Sequence, residues 1–245
     1  MATQRLFGLI GYPLHNTFSV QYFTAKFEAA QLHASYANYL LSSIEQFSQL
    51  LNDNPHLHGL NVTIPYKQSV IPYLTTLHPT AAAVGAVNTI HIANGQLTGY
   101  NTDVVGFEQS LLPLLKPWHQ KALVLGTGGA SKAVCFVLNK LGIPYHLVSS
   151  SNPNHLQYAD LNKALIRTHQ IMINCTPVGM YPNIEQAPEI PYEYLTDLHV
   201  AYDLIYLPEE TAFLNLCKKQ GTVTKNGLEM LHKQADEAYR IWTTP

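Results

Sequence analysis

The sequence predicts an α/β protein of two domains, the second built on a doubly wound parallel sheet. Length allows this: 245 residues suffice for two modest domains at about 100–200 residues each. Composition agrees. Hydrophobic residues make up 47 % and charged residues 12 %, which describes a chain that buries a core. The decisive signal is order: in the second half, short apolar runs of strand length alternate with helical periodicity.

The elements follow in sequence. Arg5 to Ile10 reads as a buried strand closed by Gly11-Tyr12-Pro13, and Val20, Phe23, Phe27 and Ala30 then recur at helical spacing. Tyr36 to Leu41 reads as a second strand. Ser42-Ser43-Ile44-Glu45 has the spacing of a capping box and predicts a helix start. Leu60 to Ile64 is a third strand, ended by Pro65. Val87–Ala93 and Gln96–Tyr100 flank Asn94-Gly95, the pair that favours a tight hairpin turn. Gln109 to Leu115 reads as a helix end before Pro117. Lys121–Leu125, Tyr145–Val148, Ile171–Cys175 and Val200–Ile205 are further strands. A last helix starts near Asn226 and places Leu228, Leu231, Ala235, Ala238 and Trp242 on its apolar face.

Several function classes are disfavoured. The net charge is −2 and no Lys/Arg run forms a basic stripe, so nucleic acid is not an expected partner. Cys135, Cys175 and Cys217 are odd in number and form no CxxC, which suits a reducing compartment. No stretch approaches the ~18 apolar residues of a membrane span, and residues 1–10 lack a signal-peptide pattern. A cytoplasmic protein is expected. The twelve histidines form neither HExxH nor a Cys/His cluster, so no metal is expected.

Gly126-Thr127-Gly128-Gly129-Ala130-Ser131 follows a strand and opens a helix. In that context glycines let backbone N–H groups approach a pyrophosphate, and the helix N-terminus favours its charge. The third glycine position holds Ser131, and a plain strand-to-helix turn would need no more than this. The end of the next strand ordinarily reads the cofactor ribose, with an acid for NAD or a base for NADP. Ser149 and Ser150 stand there, so neither cofactor is selected by charge.

The first half holds a polar constellation. Alternation along Asn61-Val62-Thr63-Ile64-Pro65-Tyr66-Lys67 puts Asn61 and Thr63 on one face of a strand. Lys67 is expected in the first turn of a helix, where its charge opposes the helix dipole. Asn88 and Asp103 end other strand-like segments, and Thr17 and Ser19 open a helix, a setting that suits a carboxylate. Singly, each has an ordinary explanation: a solvated lysine, or caps at Thr17, Thr102 or Asp103. Together they have the composition of a pocket for a small polyhydroxylated acid.

In these segments the chain resembles the shikimate dehydrogenase family, along nearly its whole length. The matching segments occur in order: Gly11–Leu14 with Thr17 and Ser19; Asn61–Lys67; Gly85–Thr89; Gly99–Asp103; Gly126–Ser131; Asn174–Met180; Tyr202–Tyr206; and Asn226–Leu231 with Gln234. The resemblance implies a substrate-binding domain over residues 1–102, joined by a C-terminal helix at 226–245 that packs back on it. It implies a Rossmann-like dinucleotide domain over 103–225, with a cleft between the two.

It further implies reversible NADPH-dependent reduction of 3-dehydroshikimate to shikimate, with Lys67 and Asp103 as the catalytic pair. Thr17 and Ser19 would hold the carboxylate. Asn61, Thr63, Asn88, Tyr206 and Gln234 would hold hydroxyls. Gly126, Gly128, Gly129, Ala130, Ser131, Ser149, Ser150, Thr176, Gly227 and Met230 would border the cofactor. A monomer or homodimer is expected.

Two departures stand out. Asn16-Thr17 replaces the family's His-Ser, which leaves quinate-like substrates open. Ser150 replaces an arginine that selects NADP, with Lys132 and Arg167 as the candidates to replace it. An NAD-using quinate/shikimate dehydrogenase and a non-catalytic ligand sensor are the alternatives. Assaying shikimate and quinate against NADP and NAD separates them.

Overall fold

The structure is a computed structural model that describes residues 4–14 and 18–244. The chain forms two compact units, residues 1–102 with 235–245, and residues 103–234.

The first unit holds a six-stranded mixed sheet in the order β2-β1-β3-β5-β6-β4. Its strands are β1 (Arg5–Gly11), β2 (Ala34–Leu40), β3 (Leu57–Val62), β4 (Thr76–Leu77), β5 (Thr89–Ala93) and β6 (Gln96–Tyr100). Strand β1 pairs parallel with β2 and β3, while β5 pairs antiparallel with β3 and β6. The Asn94-Gly95 hairpin forms as its residue types require: φ is +50° at Asn94 and +73° at Gly95. Helices α1 (Phe18–Ala29), α2 (Phe47–Asp53) and α3 (Pro79–Val84) connect the strands.

One sheet face packs Ile10, Leu41, Phe47, Leu60 and Ile90. The other packs Phe7, Phe23, Phe27 and Tyr36 of the N-terminal part against Ala235, Ala238 and Trp242 of the last helix, α8 (Leu228–Thr243). Trp242 sits 5.0 Å from Phe7 and 5.1 Å from Phe23, ring centre to ring centre. Its Nε1 donates to the Ile90 carbonyl at 2.9 Å, so the indole is buried without an unmet donor. The C-terminal helix thus packs back on the first sheet.

Two local elements differ from what the sequence predicts. The capping box sits one residue later than its Ser42/Glu45 spacing suggested. Gln46 Oε1 accepts the Ser42 and Ser43 N–H groups at 2.9 and 3.4 Å, and a 3-10 turn at Ile44–Gln46 precedes α2. Lys67 does not start a helix. Residues 64–70 form consecutive turns after β3, followed by a 3-10 turn at Ile71–Tyr73. Tertiary pairing explains the difference: the Lys67 carbonyl accepts the Val87 N–H at 2.7 Å, and Tyr66 Oη donates to the Leu41 carbonyl.

The second unit holds five parallel strands in the order β11-β10-β9-β7-β8. These are β7 (Ala122–Leu125), β8 (Tyr145–Val148), β9 (Ile171–Asn174), β10 (Val200–Asp203) and β11 (Val223–Lys225). Helices α4 (Asp103–Leu111), α5 (Gly129–Lys140), α6 (Lys163–Thr168) and α7 (Ala212–Lys218) surround them, with the first part of α8. All four residues of β7, β9 and β10 are buried, as expected of a parallel sheet covered on both faces. An isolated parallel bridge, Val148↔Leu156, lies beside β8. Counting that bridge as a strand gives the doubly wound order 3-2-1-4-5-6, with the third strand shrunk to one residue.

Helix α4 ends at Leu111, and a 3-10 turn at Leu112–Leu114 accommodates Pro113 before the chain reaches Pro117. Leu228, expected on the apolar face of α8, is 39 % exposed because it lies at the first helical position. Met230, two residues on, is buried instead. The short elements β4, α3, α6, α7 and β11 carry too little periodicity to be read from sequence.

Candidate active site

Antiparallel pairing explains why the polar residues of the first unit meet. Asn61 pairs with Thr89, and Thr89 with Tyr100. The end of β3, the start of β5 and the end of β6 therefore share one edge of the sheet. Asn61, Asn88, Asn101 and Thr102 all lie at that edge, and all are buried.

Burying amides and hydroxyls requires that they bond to one another. Asn88 Nδ2 donates to Thr102 Oγ1 at 3.0 Å, and the Thr102 N–H donates to Asn88 Oδ1 at 2.7 Å. Asn61 Nδ2 donates to Thr89 Oγ1 at 3.2 Å, while Asn61 Oδ1 accepts from Tyr36 Oη at 2.7 Å. Tyr36 is also hydrogen-bonded to the Ser19 side chain near the start of α1, and burial pushes its phenol well above the ordinary range. Asn101 Nδ2 donates to the Ala86 carbonyl at 2.9 Å. The result is one row: Ser19, Tyr36, Asn61, Thr89, Asn88, Thr102.

The sequence singles out Ser19, Asn61 and Asn88 of this row, offers Thr102 only as a helix cap, and gives no sign of Tyr36 and Thr89. Tyr36 is one of fifteen tyrosines, and nothing beside it in the chain marks it. Thr63, just past β3, is half-buried, and a Cβ on Gly11 would approach its methyl to 2.5 Å, so β1 crowds it closely. Lys67 is half-buried in the turn that follows. Thr17 lies outside the described residues.

Asp103, next in the chain to Thr102, is the first residue of α4 and is buried. An acid suits a helix N-terminus. Ser110 Oγ on the same helix lies 2.7 Å from Tyr202 Oη, which ties α4 to β10. Tyr206 is half-buried in the loop after β10. Gln234 is half-buried on α8, and its Nε2 donates to the Leu231 carbonyl at 2.9 Å.

The expected cofactor residues of the second unit gather at the C-terminal ends of its strands. The chain runs from β7 to β8 on one side and to β9 on the other, which makes the β7/β9 boundary a topological switch point, the usual place for a ligand in such sheets. Gly126 follows β7 with φ +98°, and a Cβ there would lie 2.8 Å from Thr176 Cγ2, so only glycine lets this loop pass the one after β9.

Gly128 is the N-cap of α5, and Gly129 and Ala130 begin it. A Cβ on Gly128 or Gly129 would meet nothing within 4 Å. Ser131 Oγ donates to the Gly128 carbonyl at 2.6 Å, bracing the turn from within. First-turn N–H groups of a helix generally lack intrahelical partners; here the Ser131 N–H turns back to the Gly128 carbonyl at 3.2 Å, and the open space over Gly128 and Gly129 fits a pyrophosphate. Ser149 and Ser150 follow β8, Thr176 follows β9, and Gly227 precedes α8, where its N–H donates to the Ile205 carbonyl at 3.0 Å.

Arg167 does not join this group. It ends α6 and precedes β9, which puts it at the N-terminal edge of the sheet, opposite the glycine loop. Lys132 stands one residue past Ser131 in α5.

The second unit also buries a carboxylate. Asp203, at the end of β10, is completely buried. Its Oδ1 accepts from Asn174 Nδ2 at 3.1 Å and the Ile205 N–H at 3.0 Å, and its Oδ2 accepts from Thr211 Oγ1 at 2.6 Å. Burial nonetheless pushes its carboxyl up to about 6. It joins β9, the loop after β10 and the cap of α7 at the C-terminal edge of the sheet.

Comparison with known proteins places this arrangement. A family model described as the shikimate dehydrogenase substrate binding domain matches residues 9–90. A protein of Desulforamulus reducens named shikimate dehydrogenase (NADP(+)) is 34 % identical over 259 residues, 96 % of this chain and 89 % of its own length. The crystal structure of a Thermus thermophilus shikimate 5-dehydrogenase with NADP(H) and shikimate is similar at a TM-score of 0.87 and 29 % identity, covering 98 % of this chain and 94 % of that one. A Listeria monocytogenes shikimate 5-dehydrogenase, solved with shikimate and NAD, is similar at 0.87 and 26 % identity, covering 98 % and 92 %. With its strand-end amide row, its glycine loop and relatives of this identity across nearly the full length, the chain belongs to the shikimate dehydrogenase family.

Proposed function

We propose that this chain reversibly reduces 3-dehydroshikimate to shikimate with NADPH, in aromatic amino-acid biosynthesis. The observation that carries the reading is the buried row Ser19–Tyr36–Asn61–Thr89–Asn88–Thr102. Amides and hydroxyls held in fixed orientation at strand ends suit a ligand that presents several hydroxyls. The names of the relatives, shikimate dehydrogenase (NADP(+)), support both substrate and cofactor.

In this reading Thr17 and Ser19 hold the carboxylate, and Asn61, Thr63, Asn88, Tyr206 and Gln234 hold hydroxyls. The glycine loop from Gly126 to Ser131 cradles the pyrophosphate. Ser149, Ser150, Thr176, Gly227 and Met230 complete the cofactor's surroundings. Gly227 and Met230 would border the nicotinamide, which, bound in its reduced form, would supply the hydride for the keto carbon. Negative charge then grows on the carbonyl oxygen. Lys67 Nζ stabilises that charge and gives the oxygen its proton, and Asp103 orients Lys67 and accepts a hydrogen bond from a neighbouring hydroxyl.

The test is a 340 nm assay with shikimate and quinate, each against NADP+ and NAD+. Turnover of shikimate is expected. Turnover of quinate alone would reassign the substrate, and no turnover with any pair would favour a ligand sensor.

A further inference from the structure

The segment after β8 departs from what either cofactor ordinarily requires. Residues 149–154 read Ser-Ser-Ser-Asn-Pro-Asn and contain no ionisable side chain. Ordinarily an acid here bonds the ribose 2′-hydroxyl of NAD, or a base meets the 2′-phosphate of NADP.

The loop's polar atoms are also engaged with each other. Ser149 is buried, and its Oγ accepts the Ser151 and Asn152 N–H groups at 3.3 and 3.1 Å. Asn152 Oδ1 accepts the Asn154 N–H at 3.0 Å, and Gln157 Nε2 donates to the Asn152 and His155 carbonyls at 2.9 and 3.0 Å. The chain then returns at once beside β8. The Leu156 N–H donates to the Leu147 carbonyl at 3.1 Å, and the Ser149 N–H donates to the Leu156 carbonyl at 2.9 Å. No crossover helix intervenes between β8 and this bridge.

A tightly closed, uncharged bend therefore occupies the position that reads the ribose. Arg167 cannot compensate from the far edge of the sheet. A 2′-phosphate carries about −1.5 to −2 charges near neutral pH, and charge-assisted hydrogen bonds are roughly twice as strong as neutral ones. The exposed Ser150 and Ser151 can offer it hydroxyl donors but no opposing positive charge.

We infer that this chain binds NADP(H) and NAD(H) with affinities within about tenfold of each other, because the 149–154 bend contributes no charge to the choice. The inference rests on the dehydrogenase reading above and adds a dual cofactor class to it.

Isothermal titration of the intact protein with NADP+ and with NAD+ tests it without turnover. Dissociation constants within tenfold are expected. A tenfold or larger preference in either direction overturns the inference and leaves the dehydrogenase reading standing. In that event a preference for NADP+ points first to Lys132. Heat from neither cofactor overturns both. Ser150→Arg is the second arm, with its fold checked by circular dichroism. It should shift the ratio toward NADP+ by tenfold or more. An unchanged ratio in the folded variant removes the bend from the choice of cofactor and overturns the inference.

Discussion

Tyr36 Oη, on β2, donates to Asn61 Oδ1, on β3, at 2.7 Å, reaching past the intervening β1, a contact that neither residue's neighbours in sequence reveal. The bond decides which end of the amide faces which way: Asn61 Nδ2 is left to Thr89 Oγ1 and the Asn88 carbonyl. A tyrosine buried beneath the site thus sets the donor pattern at its edge. Replacing it by phenylalanine keeps the ring stacked on Phe23 but leaves Asn61 and Ser19 without their common partner. Tyr36→Phe should raise KM for shikimate about tenfold, which corresponds to ~1.4 kcal/mol, with kcat changed far less. Steady-state kinetics checks this. A fall in kcat at constant KM would assign Tyr36 to the chemistry instead.

Lys67 and Asp103 are reached differently. One is held in a turn by the Val87 N–H, the other stands at the start of α4. Lys67→Ala should lower kcat by about 10²–10⁴, the range of general acid–base catalysis, with little change in shikimate affinity. Asp103→Asn should lower kcat in the same direction. Near-normal turnover in Lys67→Ala would remove the lysine from the proposed mechanism.

Asp203 predicts a pH dependence of stability. Its carboxyl lies at about 6 in the folded chain, against 3.8 for an ordinary aspartate. Below 3.8 it is protonated in both states. As pH rises toward 6 the unfolded chain releases the proton and the folded chain does not. Its contribution is therefore fully present at low pH and lost as pH rises from about 4 through 6, amounting to about 3 kcal/mol. Asp203→Asn abolishes the titration. Urea unfolding of both proteins between pH 4 and 6.5 should show the wild type losing stability relative to the variant as pH rises. A difference that stays flat would show that Asp203 does not titrate there.

Trp242 joins the C-terminal helix to the first sheet through Phe7, Phe23 and the Ile90 carbonyl. Trp242→Ala should cost ~3–5 kcal/mol by cavity formation, and more if the Ile90 carbonyl is left unmet. Denaturant unfolding followed by circular dichroism measures it. A loss below 1 kcal/mol would mean that α8 is not needed to cover this face.

Much of this fold is legible because its determinants are local. The Asn94-Gly95 hairpin depends on two residues that tolerate positive φ. Helix α5 depends on its own apolar stripe and on the glycines before it. The buried strands β7, β9 and β10 are visible as apolar runs whatever surrounds them. The residue types of the candidate site, from Asn61 to Lys67 and from Asn101 to Asp103, were equally open to reading.

Tertiary pairing decided the rest. It turned the segment after Pro65 into turns, because Val87 claims the Lys67 carbonyl. It shrank the third strand of the second sheet to Leu156, whereas the capping box moved to Gln46 through local bonds to Ser42 and Ser43. It also joined Tyr36 to Asn61 and buried Asp203. By itself the sequence determined the two-domain class and the chemistry available at the strand ends. Only the structure decided which donors face which acceptors, because hydrogen bonds between residues 25 apart in sequence, as in Tyr36 to Asn61, leave no periodic trace in the chain.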